Sequence, residues 1–392
     1  MPAVHAIADL QKRVSKQFDA ALAAGDAFFY PSSRTVVPDE STGSTIDFVI
    51  TCVPALAQKA KEKEAREEES AAQEEQPKQN PRDVFAPPYV PNLLVKELDD
   101  FTVLLNKFAV LPRHFLLVTR DFAPQDLPPS PRMLALAYRI LLAYPSSRSS
   151  ELMAFYNCGP HSGASQPHQH VQFIAVGKPP KEKGKGGEGA EEEEEEDDEV
   201  DDLEERPNVP IEALLDRIER DGKEEEHIHA MPVPWQHFVR LISPPKVPTS
   251  SSTPKETQEA KLAALEGYMA SRLLSLIDAQ FQSRRVATEE QEAQQGGNEA
   301  PRSNKPSFNL LLTRRAFHLI PRKQGDITIP LKVGADQTTT TDVSVNSLGY
   351  AGLLLARSEE EVEAIRKVEG GVIGILTKAG REPVPDDSWS TA

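Results

Sequence analysis

The stretch that leaves this chain least freedom is Asn157-Cys158-Gly159-Pro160-His161-Ser162-Gly163-Ala164-Ser165-Gln166-Pro167-His168-Gln169-His170-Val171-Gln172. Gly159, Pro160 and Gly163 break regular structure, whereas the apolar, partly aromatic residues 152–156 before it and residues 171–176 after it are strand-like. The pattern is strand, glycine-rich loop, strand. Side chains alternate faces along a strand, so His168, His170 and Gln172 share one face and Gln169, Val171 and Phe173 the other. Two imidazoles and an amide line up beside a loop that offers backbone N–H groups and the hydroxyls of Ser162 and Ser165.

The rest of the chain mixes short strands and long helices without a regular strand–helix–strand repeat. Residues 5–24 are apolar at Ile7, Leu10, Val14 and Phe18, a helical spacing that stops at Gly25. Residues 101–105 and 114–119 form a hairpin-like strand pair with a polar, cationic junction, and residues 133–142 a helix with Pro131 in its first turn. Thr253-Pro254-Lys255-Glu256 has capping-box spacing and opens a long helix through Leu265, Met269 and Leu273. Residues 308–313 and 317–320 are strand candidates, Leu348-Gly349-Tyr350-Ala351-Gly352 reads as a glycine turn, and Ser358 starts a last helix towards Gly370. The whole predicts one α+β domain on a largely antiparallel sheet flanked by helices. Residues 59–82, 178–206 and 287–305 are charged or polar with few apolar positions and read as disordered surface inserts.

The formal net charge is −17, but residues 188–205 hold fourteen carboxylates and no lysine or arginine, so the remainder is close to neutral. A body without a cationic surface argues against nucleic acid as a partner, while local lysines and arginines still suit a small polyanion. No window approaches the roughly 18 apolar residues of a membrane span. Cys52 and Cys158 match neither a disulfide framework nor a CxxC site. A soluble, unsecreted protein is expected, in the cytoplasm or also the nucleus, compartments that keep thiols reduced.

An unprotonated imidazole can attack phosphorus and split one transfer into two easier ones, which makes His170 the candidate nucleophile. Gln172 can donate to a non-bridging oxygen but cannot act as an acid. The leaving group must then be a weak base already, such as a terminal phosphate with its second pKa near about 6. Nucleotidyl transfer from a phosphoanhydride fits. The competing readings are structural histidines, or a zinc set of Cys158, His161, His168 and His170, in which a metal on His170 would remove the nucleophile.

The combined pattern resembles that of ATP adenylyltransferases, also called diadenosine tetraphosphate phosphorylases, of fungal and related type, in the histidine-triad superfamily. Cys52-Val53-Pro54-Ala55-Leu56 followed by Lys59, Leu105-Asn106-Lys107-Phe108 with Pro112-Arg113-His114, the 308–313 strand and the 348–352 turn are similar to family segments in family order. The similarity covers most of residues 15–375. It implies a histidine-triad-like fold and reversible phosphorolysis of the dinucleotide to ATP and ADP through an adenylyl-histidine. It further implies a catalytic set of His170, Gln172 and His168, with Lys59, Asn106, Lys107, Asn157, Gly163, Ala164, Ser165, Gln166, Asn309, Thr313, Gly349 and Gly352 binding substrate. Nucleotides and inorganic phosphate are the implied partners, with a divalent cation, most simply magnesium, on the polyphosphate. A hexose-1-phosphate uridylyltransferase-like enzyme and a non-catalytic nucleotide-binding protein are the alternatives.

Overall fold

Runs of β-branched and aromatic residues supply the strands β1 (Phe28–Phe29), β2 (Ser33–Asp39), β3 (Ile46–Cys52), β4 (Leu94–Glu97), β5 (Phe101–Leu105), β6 (Phe108–Ala109), β7 (Phe115–Thr119), β8 (Ser150–Cys158), β9 (His170–Gly177), β10 (His229–Ala230), β11 (Phe238–Leu241), β12 (Phe308–Leu312), β13 (Ala316–Pro321), β14 (Asp326–Val333), β15 (Gln337–Ser344) and β16 (Leu353–Ala356). The helices are α1 (Leu10–Ala24), α2 (Pro131–Ala143), α3 (Leu215–Arg220), α4 (Lys255–Gln295), α5 (Ser347–Ala351), α6 (Glu359–Lys367) and α7 (Gly371–Ala379). The structure, a computed structural model, describes residues 7–55, 83–147, 150–177, 207–220, 227–245, 255–295, 306–333 and 337–384. Lys59 and the expected inserts at 59–82 and 178–206 lie outside them.

Helix ends follow local chemistry. Gly25 takes the left-handed conformation (φ 73°) that closes α1. Ser130 accepts from the Met133 N–H and places Pro131 in the first turn of α2, and Ser358 caps α6 by accepting from the Glu361 N–H.

Nine strands in the order β10-β11-β13-β12-β8-β9-β7-β5-β4 form the main sheet, and every pairing in it is antiparallel. The period of two divides its side chains cleanly. Val171 and Phe173 of β9 join the core under α1, α2 and α4, together with Leu10, Val14, Met133, Ile140, Leu265 and Met269. Phe173 stacks on Phe115 at 4.7 Å, a contact worth about 0.5–1.5 kcal/mol beyond its burial, and so holds β9 against β7. Ile174 and Val176 face the other way, into a second core with Phe48, Ile50, Trp235 and Tyr350. His170 and Gln172 therefore emerge on that second face, where β16, β3 and β2 form a smaller sheet with β16 and β3 parallel. Among the described residues no helix is long and apolar enough to cross a membrane.

Three local expectations change. The 348–352 segment is not an open turn, because Ser347–Ala351 form a helix: Asn346 accepts from the Leu348 N–H at its start, and Gly352 (φ 100°) caps its end. The polar tract from 287 stays helical through Gln295, because its Ala, Glu and Gln residues favour helix even without an apolar stripe. The helix from Ser358 is not the last, since α7 follows the left-handed Gly370.

Candidate active site

Strands β8 and β9 pair as far as Phe155↔Gln172 and then part. Gln125 bridges the gap: its Oε1 accepts from the His170 N–H at 2.8 Å and its Nε2 donates to the Asn157 carbonyl at 2.8 Å. The opening so made receives the loop that follows Cys158. That loop needs glycine at two points. At Gly159 (φ 82°) a Cβ would meet the Pro306 carbonyl at 2.5 Å, and at Gly163 (φ 77°) one would meet Asn346 Cβ at 2.7 Å.

His170 is buried, and its Nδ1–H donates to the His168 carbonyl at 2.8 Å. This leaves Nε2 as the nitrogen with the lone pair. Burial, partly offset by the bond to the His168 carbonyl, lowers the pKa to about 4, so the ring is neutral near pH 7. The Phe85 ring lies 5.0 Å away. His168 is occupied at both nitrogens, by Asp83 Oδ2 at 2.7 Å and by the Thr119 carbonyl at 2.8 Å. Its ring is thereby committed to the scaffold, and what it gives to the centre is the carbonyl that orients His170.

Asn157 presents its amide in a fixed sense. Its Oδ1 accepts from Asn309 Nδ2 at 2.8 Å, from the Ser347 N–H at 3.1 Å and from Ser347 Oγ at 2.6 Å. The nitrogen end remains for a ligand, since no protein acceptor meets it among the described residues. Asn309 also donates to the Ser162 carbonyl at 2.9 Å and accepts from Arg322 Nη1. It thus stands behind the loop. Arg322 is wholly buried; its Nη2 donates to the Gln324 carbonyl at 2.7 Å, its Nε to the Ala379 carbonyl at 3.3 Å, and the guanidinium lies 5.0 Å from the Tyr350 ring centre.

The remaining sequence-derived residues divide. Ala164 and Ser165 are exposed, and Gly163 and Gln166 half-exposed, on the loop beside His170. Ser162 is buried and donates to the Gly159 carbonyl at 2.7 Å, so its hydroxyl serves the loop. Gln172 is half-buried and meets His114 Nε2 at 3.1 Å. Asn106 contacts His114, and the Lys107 ammonium rests 5.9 Å from the Phe28 ring and 5.7 Å from the Phe108 ring. Thr313 lies beyond the far end of β12 from Asn309, buried and bonded to Glu212 Oε1 at 2.5 Å. Gly349 packs against Leu376 and Val345, and Gly352 against Pro210. Their helix reaches the site through Ser347. Cys158 belongs to the opposite core, which separates it from His170 and breaks up the zinc set.

Sequence reasoning missed Asp83, Gln125, Arg322 and Ser347 as supports of the site. His114 had a signal, the Pro112-Arg113-His114 segment, without a role.

A sheet whose strand β9 opens at His170 and carries Gln172, with His168 in an isolated bridge to Pro124 just before it rather than in the strand, beside a glycine-rich loop, is a histidine-triad-like fold. The sequence matches the Ap4A phosphorylase N-terminal domain over residues 3–184 and the ATP adenylyltransferase C-terminal domain over residues 231–382. It is 25% identical to diadenosine 5',5'''-P1,P4-tetraphosphate phosphorylase 2 of Saccharomyces cerevisiae, across 96% of this chain and 97% of that protein. The fold matches crystal structures of a yeast Ap4A phosphorylase, with Ap4A at TM-score 0.60 and 22% identity over 96% of this chain and 99% of that one, and with AMP at TM-score 0.58 and 22% identity over 96% and 97%. The chain belongs to the Ap4A phosphorylase family of ATP adenylyltransferases.

Proposed function

We infer that this protein phosphorolyses diadenosine tetraphosphate to ATP and ADP, reversibly, through an adenylyl group carried on His170. The supporting observation is the state of His170: a neutral ring with Nδ1–H tied to the His168 carbonyl and Nε2 unprotonated, beside the Gln172 and Asn157 amides. Nε2 attacks the α-phosphorus; the bond to the bridging oxygen breaks and ATP leaves with the electron pair. An oxygen of inorganic phosphate then attacks the same phosphorus, the N–P bond breaks, and ADP forms with His170 restored. Neither departure needs an acid, because both leaving groups are weak bases, which accords with an amide at position 172. The two amides are hydrogen-bond donors for non-bridging oxygens as charge develops, with loop N–H groups from Gly163 to Gln166 holding the polyphosphate.

Lys59 and Lys107 complete this reading as substrate-site residues, with Asn106 acting through His114; Thr313, buried and spent on Glu212, is not one of them. Magnesium would enter with the polyphosphate, whose oxygens suit a hard cation. The cytoplasm is the proposed location, in keeping with two free, buried thiols, Cys52 and Cys158. ATP and ADP should appear from the dinucleotide only when phosphate is supplied, with adenosine compounds competing better than uridine ones. His170→Ala should abolish the reaction and the acid-labile adenylyl-protein, and full turnover by that variant would refute the mechanism.

A further inference from the structure

We propose that His114 is a positioning residue that fixes which end of the Gln172 amide faces the reacting phosphate, and that Asn106 acts through it; the proposal rests on the phosphorolysis reading above. The chain of donors and acceptors starts at a group whose direction is certain. The Phe108 backbone N–H donates to Asn106 Oδ1 at 3.0 Å, so the other end of that amide, Nδ2, is the end that meets the His114 ring, nearer Nδ1 at 3.2 Å than Nε2 at 3.5 Å, where Nε2 already faces the Gln172 oxygen. An amide NH₂ only donates. His114 Nδ1 must therefore accept, and the ring carries its proton on Nε2. That Nε2–H donates to Gln172 Oε1 at 3.1 Å.

With its oxygen engaged, Gln172 turns its NH₂ outward. The relay persists over the working pH range, because burial of His114 lowers its pKa to about 4 and keeps the single-proton form. Without His114 the two ends of the Gln172 amide become nearly equivalent, and the oxygen end would meet a phosphate oxygen as one acceptor meeting another. Both ends of the Asn106 amide are engaged in this arrangement, Oδ1 by the Phe108 N–H and one Nδ2 N–H by His114, and its effect on the reaction is taken to run through His114.

Four single variants and two double variants test this by single-turnover phosphorolysis of diadenosine tetraphosphate. Removing one transition-state donor costs about 10²–10³ in rate, which sets the expectation for Gln172→Ala, and a misdirected donor should cost roughly tenfold, the expectation for His114→Leu with KM little changed. The double variant of those two should be less than about twofold slower than Gln172→Ala alone, because the relay then has nothing to orient. Asn106→Ala should cost a few-fold in the wild-type background and nothing beyond Gln172→Ala, which covers the case of His114→Leu failing to fold. His114→Gln, whose amide can still donate to Gln172, should recover much of the rate. Equal losses from His114→Leu or Asn106→Ala in both backgrounds would overturn the proposal while leaving phosphorolysis standing. A wild-type protein that makes no ATP in the presence of phosphate would remove the phosphorolysis reading itself.

Discussion

Asn309 gives the sharpest test of how the phosphate loop is held. Its amide, Asn157, Ser162 and Arg322 are all buried, so no water can replace what a substitution removes. In Asn309→Ala, Asn157 Oδ1 keeps both Ser347 donors, but the Ser162 carbonyl loses the amide donor and Arg322 Nη1 loses its acceptor. Orphaning a buried neutral group costs about 1–3 kcal/mol and bonds to charged groups are worth about 1.5–3, so the loss should total about 3–5 kcal/mol. Asn309→Asp separates the two roles: the carboxylate keeps Arg322 as a partner but cannot donate, so it faces the Asn157 and Ser162 oxygens acceptor to acceptor and disturbs how the Asn157 NH₂ is presented. The expected pattern is a large drop in the urea midpoint for the alanine variant and a smaller one for the aspartate variant, with weaker ATP binding in both. Fluorescence of buried Trp235 and titration calorimetry would measure these. A stability loss under about 1 kcal/mol with ATP affinity reduced as strongly in the alanine variant would refute the reasoning and make Asn309 a direct ligand.

Acid should destabilise the fold between about pH 6.5 and 4. His114 and His170 have pKa values near about 4, His318 about 3, and His237 is held well below its ordinary value, in each case first by burial. Each ring stays neutral when folded and takes a proton when unfolded, so stability is full above about pH 6.5 and falls by up to about 1.4 kcal/mol per pH unit per ring below it. Urea midpoints that stay level from pH 7 to 5 would contradict this. The single-turnover rate, governed by neutral His170, should hold to about pH 5, whereas a midpoint near 6.5 would mean an ordinary histidine.

Glu212 works in the opposite direction, since burial raises its pKa to about 7. Its contribution is intact below the ordinary carboxyl range and is lost as pH rises through about 7. Glu212→Gln should therefore gain up to about 3 kcal/mol over wild type at pH 8, less at pH 5, and a loss at both would count against it. Gly163→Ala forces a side chain onto Asn346 at positive φ and should cost about 1–3 kcal/mol with clearly weaker ATP binding, both absent if the loop simply shifts aside.

Elements whose information is local were legible in the sequence. The strands around the glycine loop, the β5–β7 hairpin, the Gly25 stop and the Ser358 cap each depend on a period of two or 3.6, or on one residue's backbone preference. The β14–β15 hairpin was missed because β15 is a threonine-rich, mostly exposed run without an apolar alternation. α7 was hidden by the two glycines that begin it. In the site, the placing of His170 beside the glycine loop could be read directly. Their supports could not: Asp83 reaches His168 across 85 positions and Ser347 reaches Asn157 across 190, and no short-range pattern encodes such a meeting.

The parallel pairing of β3 with β16 bears on how the protein is made. A ribosome delivers β3 early, and β2 can fold back on it at once, but its other edge waits for Leu353 and its neighbours. At about 5–20 residues per second, that interval of about 300 residues lasts roughly 15–60 s. The contact between Ser33 and Glu359, 326 positions apart, closes the same seam. Throughout that time Phe48 and Ile50 belong to a strand with an open edge, the kind of surface that invites pairing with another chain. Newborn copies should depend on chaperone cover until β16 has emerged, more so when translation is slow, and fragments ending before β16 should aggregate.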